Sequence, residues 1–241
     1  MAGTSRSPLI HRGHRDGAVL RPYSRAMRET FHAELDKLIG DLARMARLTG
    51  QMMTNASTAL HHADLRLAEL VISGENEITA LCDDMDQRCI NLLALQAPVA
   101  TDLRVVVAAM HAARDLGRMG TLAQHIAKVA RLKHPTVPIT DDVRPVFARM
   151  GLLAASLAED AATAIESQDL MSSARLAEAD KEVDALRRQI FRILLSEDWS
   201  HGVEPAVDAA LIGRYYERFA DHAVAIARQV GFLVTGQPPA R

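Results

Sequence analysis

The chain has 241 residues, of which 49% are hydrophobic and 24% charged, and its formal net charge is −2. A chain of this length can bury one or two substantial cores. Aromatic residues make up only 4% of it, which favours close-packed helices over sheets. The near-neutral charge argues against a general nucleic-acid-binding protein.

The first 26 residues differ in kind from the rest of the chain. They are polar and unpatterned, with five arginines against one acid, Asp16. Without an apolar run they do not form a secretory signal, and we expect a disordered basic tail. Helical periodicity begins just after Met27, which is therefore a candidate natural start. The alternative is that this basic tail has a function and binds RNA or lipid.

Residues 28–235 are predicted to form six helices. Apolar residues recur at helical spacing through this range. The expected helices are 28–61, 64–96, 101–133, a fourth that begins at 142, 169–196 and 204–235. Asp64 and Asp142 are the predicted N-caps of the second and fourth helices, with Pro145 in the first turn of the fourth. Gly236 is the predicted C-cap residue of the last helix.

Other features of this range concern the membrane and the thiols. No apolar run reaches the roughly 18 residues that a membrane span needs. Cys82 and Cys89 share one helical pattern but are separated by about 10 Å along the axis, too far for a disulfide. Reduced, buried thiols in a cytosolic protein are expected.

The two halves of the helical region are related to each other. Pro135 and Pro138 divide it into residues 27–136 and 137–237. An offset of 105 superimposes the second helix on the fifth, and an offset of 100 superimposes the third on the sixth. The sequence therefore predicts an all-α protein made of two tandem three-helix bundles.

Two pairs of acids in the second half are the strongest candidate site. Asp180 and Asp184 are four residues apart on the fifth helix, and so are Glu217 and Asp221 on the sixth. Each pair lies on one helix face. If those faces meet, four carboxylates converge, and a cation between them would offset their repulsion.

Three motifs give the chain a resemblance to a known family. They are the paired acidic spacing, the run Tyr216-Glu-Arg-Phe-Ala-Asp-His-Ala223, and the segment Gln96-Ala-Pro-Val-Ala-Thr-Asp-Leu-Arg104. Together with the duplicated layout, they make residues 27–236 resemble the PhoU family. The resemblance implies a dimeric cytoplasmic regulator of phosphate uptake and phosphate signalling. Such regulators contact the phosphate-specific ABC transporter and a two-component sensor histidine kinase, hold the starvation response off, and in some members bind metal clusters at the acidic motifs.

The first half departs from this family pattern. At the positions of the four acids it has Glu75, Thr79, Gly117 and Thr121. Thr and Gly are poor ligands for a hard cation, so we expect any metal to bind in the second half alone. All-oxygen ligands leave Mg, Mn, Fe and Zn open and favour the harder ions. The secondary ligand candidates are Glu182, Glu159, Asp160 and His222.

Alternative interpretations stay open. The acids could form a solvated face with ion pairs, in which Arg214 or Arg218 binds the acids of the sixth helix and Lys181 binds Asp184. His222 is turned about 100° from Asp221, which favours a hydrogen-bonding histidine over a ligand.

No nucleophile with a recognisable base emerges from the sequence, and a regulator without an active site is the first expectation. A helical-bundle enzyme with a metal centre and a metal-free helical adaptor are the two alternatives.

Overall fold

A computed structural model describes residues 25–96 and 98–237. Most of the predicted basic tail, residues 1–24, lies outside this range. The described residues form six helices and confirm the all-α prediction. In chain order the helices are α1 Arg25–His62, α2 Leu65–Gln96, α3 Ala100–Lys133, α4 Arg144–Ser167, α5 Leu170–Leu194 and α6 Val203–Thr235.

Most of the predicted helix ends are confirmed. The Asp64 carboxylate accepts a hydrogen bond from the Leu67 amide at 2.9 Å and so caps α2. Pro145 lies in the first turn of α4, where its missing amide has no intrahelical partner. Gly236 is left-handed, with a φ of 72°, and its amide donates to the Phe232 carbonyl at the end of α6.

The predicted cap at Asp142 is wrong. α4 begins at Arg144, and its N-cap residue is Val143, which makes no side-chain capping bond. A turn through Thr140, whose carbonyl accepts from the amides of both these residues, leads directly into the helix. The Asp142 carboxylate instead lies 2.6 Å from Nε2 of His201, in the loop before α6.

The six helices form two three-helix bundles with a shared interface. Helices α1, α2 and α3 pack together, as do α4, α5 and α6, while α1 packs against α4 and α3 against α6. Within the described residues, α2 and α5 contact helices of their own bundle alone. One hydrophobic cluster runs through both bundles. The molecule therefore has a central layer of four helices, with α2 and α5 on opposite outer sides.

Two glycines allow α1 and α4 to approach closely. A Cβ at Gly50 would lie 2.9 Å from the Cβ of Ala158, and one at Gly151 would lie 2.7 Å from Oγ of Ser57. An offset of 101 residues superimposes α1 on α4: it places Gly50 on Gly151 and Ser57 on Ala158. The two contacts are therefore the same contact made in both directions. The interface between the bundles thus has approximate two-fold symmetry.

The two cysteines are free. Cys89 is buried and Cys82 half-buried, and burial raises the pKa of each thiol to about 11. Both are therefore protonated near neutral pH and poorly reactive. Within residues 25–96 and 98–237, no helix is long and apolar enough to cross a bilayer.

Candidate functional site

Helices α5 and α6 bring the four predicted acids within electrostatic range of one another. We call Asp180, Asp184, Glu217 and Asp221 the carboxylate cluster. The pKa of Asp180 is raised to about 6, first by burial and then by the negative charges of Asp221, Asp184 and Glu217. The acids of α5 and α6 therefore lie close enough for the charge of one to influence another.

The carboxyl group of Asp221 is affected in the same way as that of Asp180. Its pKa is raised by burial and by the charge of Glu217, while Arg218 and Arg214 oppose the rise. The Nε of Arg218 lies 3.9 Å from the Asp221 carboxylate, in a pair that is half exposed. Such exposed pairs contribute little to stability, so Asp221 is only partly compensated.

Glu217 is bound by two arginines. Among the described residues it is the one charged residue that is buried, at 8% exposure. Arg214, one turn earlier on α6, donates a short hydrogen bond to its Oε2. The Nε of Arg187 on α5 lies 3.2 Å from the same oxygen, an ion-pair distance without the geometry of a hydrogen bond. The Arg187 guanidinium also lies over the Phe191 ring, 5.1 Å from its centroid.

The donor chemistry of the cluster suits a hard cation, but the arrangement of its side chains does not fit one. Among the described residues, no group of three or more His, Cys, Asp and Glu side chains is placed to hold a metal ion. One of the two carboxylate oxygens of Glu217, Oε2, already contacts two guanidinium groups. The metal site at the cluster stays a prediction.

Two of the secondary ligand candidates are bound elsewhere. Glu182 accepts hydrogen bonds from Arg149 of α4 at 2.7 and 3.1 Å. Glu159, beside Asp160 on α4, accepts one from Arg47 of α1 at 3.2 Å. These pairs link neighbouring helices and occupy both glutamates.

His222 makes a contact between the bundles. Its Nδ1 lies 2.9 Å from the carboxylate of Asp115 on α3. Both side chains are mostly buried. The structure therefore supports the hydrogen-bonding role that the sequence favoured for this histidine.

The corresponding place in the first bundle is occupied by uncharged groups around one acid. Glu75 accepts long hydrogen bonds from the hydroxyls of Thr79 and Thr121, at 3.3 and 3.4 Å. Beside them, Gly117 faces Cys82, and a Cβ on the glycine would lie 3.0 Å from the sulfur. Two threonine hydroxyls and a glycine thus take the places of three of the four carboxylates of the second bundle.

The family follows from the match to known sequences. A model of the PhoU domain matches residues 42–130 and again residues 147–230. The chain belongs to the PhoU family. Each match falls within one bundle, so the two bundles are two PhoU repeats.

Similar proteins and structures agree with this assignment. The chain is 44% identical over 213 residues to "Phosphate-specific transport system accessory protein PhoU homolog 2" of Mycobacterium tuberculosis, which covers 88% of this chain and all of that protein. It is 43% identical to PhoU homolog 1 of Mycobacterium leprae, covering 88% and 96%. The crystal structure of PhoU from Pseudomonas aeruginosa superimposes with a TM-score of 0.80 at 26% identity, covering 86% of this chain and all of that one. The regulatory protein PhoU of Streptococcus pneumoniae gives 0.75 at 27% identity, covering 88% and 99%.

Arg187 is the residue that the sequence analysis missed. The offset of 105 places it on Cys82, just as the offset of 100 places Glu217 on Gly117. The signal lies in the aligned repeats: the offset of 105 also pairs Leu81 with Leu186, and at the next position an arginine replaces a cysteine.

The predicted ion pairs on the face of the second repeat form only in part. Both predicted pairs of α6, from Arg214 and from Arg218, are present. On α5, Lys181 does not pair with Asp184; its Nζ lies 2.9 Å from the carboxylate of Glu178. An acid that precedes its basic partner is the better orientation along a helix, which explains the choice.

Proposed function

We propose that this protein is an accessory protein of phosphate-specific transport and acts by contact with other proteins. One observation carries the proposal: the chain is 44% identical to the full length of a relative that bears the name of such an accessory protein. The two PhoU matches support it, since they fall in both repeats.

In finer detail, we propose a cytoplasmic negative regulator of phosphate uptake and of the phosphate-starvation response. Its partners would be the phosphate ABC transporter and a sensor histidine kinase, and it would reach the membrane only through them. The working unit would be a homodimer that binds no nucleic acid. Regulation by contact requires a different affinity for two states of a partner, which then shifts as phosphate status changes.

The two outer helices offer dissimilar surfaces for such contacts. On α2, Asp83 and Asp86 are exposed, whereas on α5 the exposed charged side chains in the matching stretch are Arg188 and Arg192. Asp83 and Arg188 are equivalent positions, because 83 + 105 = 188. Charge patterns of opposite sign select different partners. An acidic and a basic outer face are therefore suited to two different protein partners.

The alternatives differ in what the carboxylate cluster does. In a metal enzyme, the four acids would have to hold an ion and act on a substrate. In a metal-free adaptor they would serve structure alone. The contacts of Glu217 with Arg187 and Arg214 favour the adaptor over the enzyme, and an adaptor is compatible with regulation by contact.

The proposal is tested in cells that lack the gene. Secreted phosphatase activity and phosphate uptake would be measured in phosphate-replete medium, with and without the restored gene. We expect both to rise on deletion and to return on restoration. Unchanged values in a strain with no second PhoU-family gene would contradict the proposed function.

A further inference from the structure

We propose that Arg187 and Arg214 are the counter-ions of the carboxylate cluster in the second PhoU repeat, in the place that a metal ion would otherwise take. The cluster contains four carboxylates, and that of Glu217 is buried. Charges in such surroundings need partners of opposite sign. The question is therefore which cation the chain supplies.

The contacts of Glu217 identify the cation as a guanidinium. The Glu217 side chain is 11% exposed and that of Arg187 is 31% exposed, so salt screens this pair less than a surface pair. Arg214 adds a second guanidinium on the same oxygen. Arginine is always protonated in proteins, so both counter-ions are permanent.

Arg187 is held in place from two sides. Its guanidinium lies over the Phe191 ring, in a cation–π arrangement on its own helix, and reaches Glu217 on the neighbouring helix. It therefore links α5 to α6, as a metal bound by acids of both helices would. Arg214 cannot make such a link, because it and Glu217 belong to the same helix.

The first repeat provides an internal comparison. There, Cys82 occupies the position of Arg187 and Gly117 that of Glu217, and the two are again in close contact. Both members of the pair are charged in one repeat, and both are uncharged in the other. This is the pattern expected if the arginine is the partner of Glu217, since an unpaired buried charge of either sign would be unfavourable.

A third arginine lies beside another acid of the cluster. The Nε of Arg218 is 3.9 Å from the carboxylate of Asp221, three residues away on α6. From this contact and those of Glu217 we infer that the second repeat folds and keeps its helix packing without a bound metal. This inference does not depend on the proposed role in phosphate transport.

The test compares thermal unfolding of the full chain with and without excess EDTA, together with its metal content. The variants are R187M, the matched same-helix change R214M, and E217Q combined with R187M. We expect the wild-type Tm to be unaffected by EDTA. R187M should lower Tm by on the order of 5 °C, because it removes the ion pair that joins Glu217 on α6 to α5. R214M should lower it less, and adding E217Q to R187M should restore most of the loss.

Two results would overturn the proposal. One is a wild-type protein that contains about one metal ion or more per chain and loses Tm in EDTA. The other is an R187M protein as stable as wild type, or one that E217Q does not rescue. If R187M fails to fold, R187K is measured instead, since lysine keeps the charge but lacks the planar fork of arginine. The proposal then requires a smaller loss of Tm that E217Q again reduces.

Discussion

The two PhoU repeats of this protein share a backbone plan and differ in the chemistry of one equivalent place. In the second repeat, acids of α5 and α6 meet and arginines offset their charge. In the first, Glu75 is surrounded by threonine hydroxyls and Cys82 packs on Gly117. The difference is the one expected if Glu217 and Arg187 change together, because removing one of them leaves the other uncompensated.

The largest effect is expected from placing an acid in the first repeat. G117E would put a carboxylate against Cys82, where its Cβ alone would lie 3.0 Å from the sulfur. We expect a loss of about 3 kcal/mol in the free energy of unfolding, from overpacking and an unpaired half-buried charge. Urea unfolding measures it, with G117A as the control for the Cβ. Adding C82R should recover part of the loss by recreating the arginine pair; no recovery would show that the repeats are not interchangeable here.

Tyr216 provides a second, smaller asymmetry. Its position in the first repeat is taken by Leu116, and both residues are fully buried. The Tyr216 hydroxyl lies 2.7 Å from Oγ of Ser57 on α1. The Ser57 hydroxyl in turn donates a hydrogen bond to the backbone carbonyl of Met53. Y216F should cost about 1 kcal/mol in the free energy of unfolding. S57A should cost at least as much, because it leaves a buried hydroxyl without an acceptor; a smaller cost for S57A would contradict this hydrogen bond.

Asp180 should make the second repeat sensitive to pH. Its folded-state pKa is about 6, against an ordinary value of 3.8. The folded state therefore binds the proton more tightly, and the stability contributed by protonation is present below pH 4 and is lost as pH rises through 6. D180N should raise Tm at pH 7 by about 2 °C, and the gain should vanish near pH 4. D83N on the exposed face of α2 is the control, and a gain for D180N that is the same at both pH values would refute the mechanism.

The smallest effect on stability is expected at the outer helices. Charge reversal by R188E with R192E on α5, or by D83K with D86K on α2, should change the free energy of unfolding by about 0.5 kcal/mol or less. In cells, each double variant should disturb one partner contact. Phosphate uptake and secreted phosphatase activity are measured together for both. If the two double variants leave both activities at wild-type levels, these faces do not bind the partners.

Local signals in the sequence predicted most of the fold. Apolar periodicity gave the six helices, because burying one face is a property of neighbouring residues three and four apart. Asp64 was recognised as a cap for the same reason, since its bond reaches three residues along the chain. The predicted cap at Asp142 is wrong, because the partner of this carboxylate, His201, lies 59 residues away along the chain. The predicted pair of Lys181 with Asp184 is wrong, because Glu178 on the same helix competes for the lysine.

The sequence by itself determined the duplicated helical plan, the position of the four acids on two helix faces, and the contrast with the first repeat. The tertiary structure alone decided what those acids contact. It placed Arg187 beside Glu217, His222 beside Asp115, and Gly50 against Ala158. The physical reason is distance along the chain: contacts within a helix follow from spacing, whereas contacts between helices depend on their register and separation, which packing of the whole core sets.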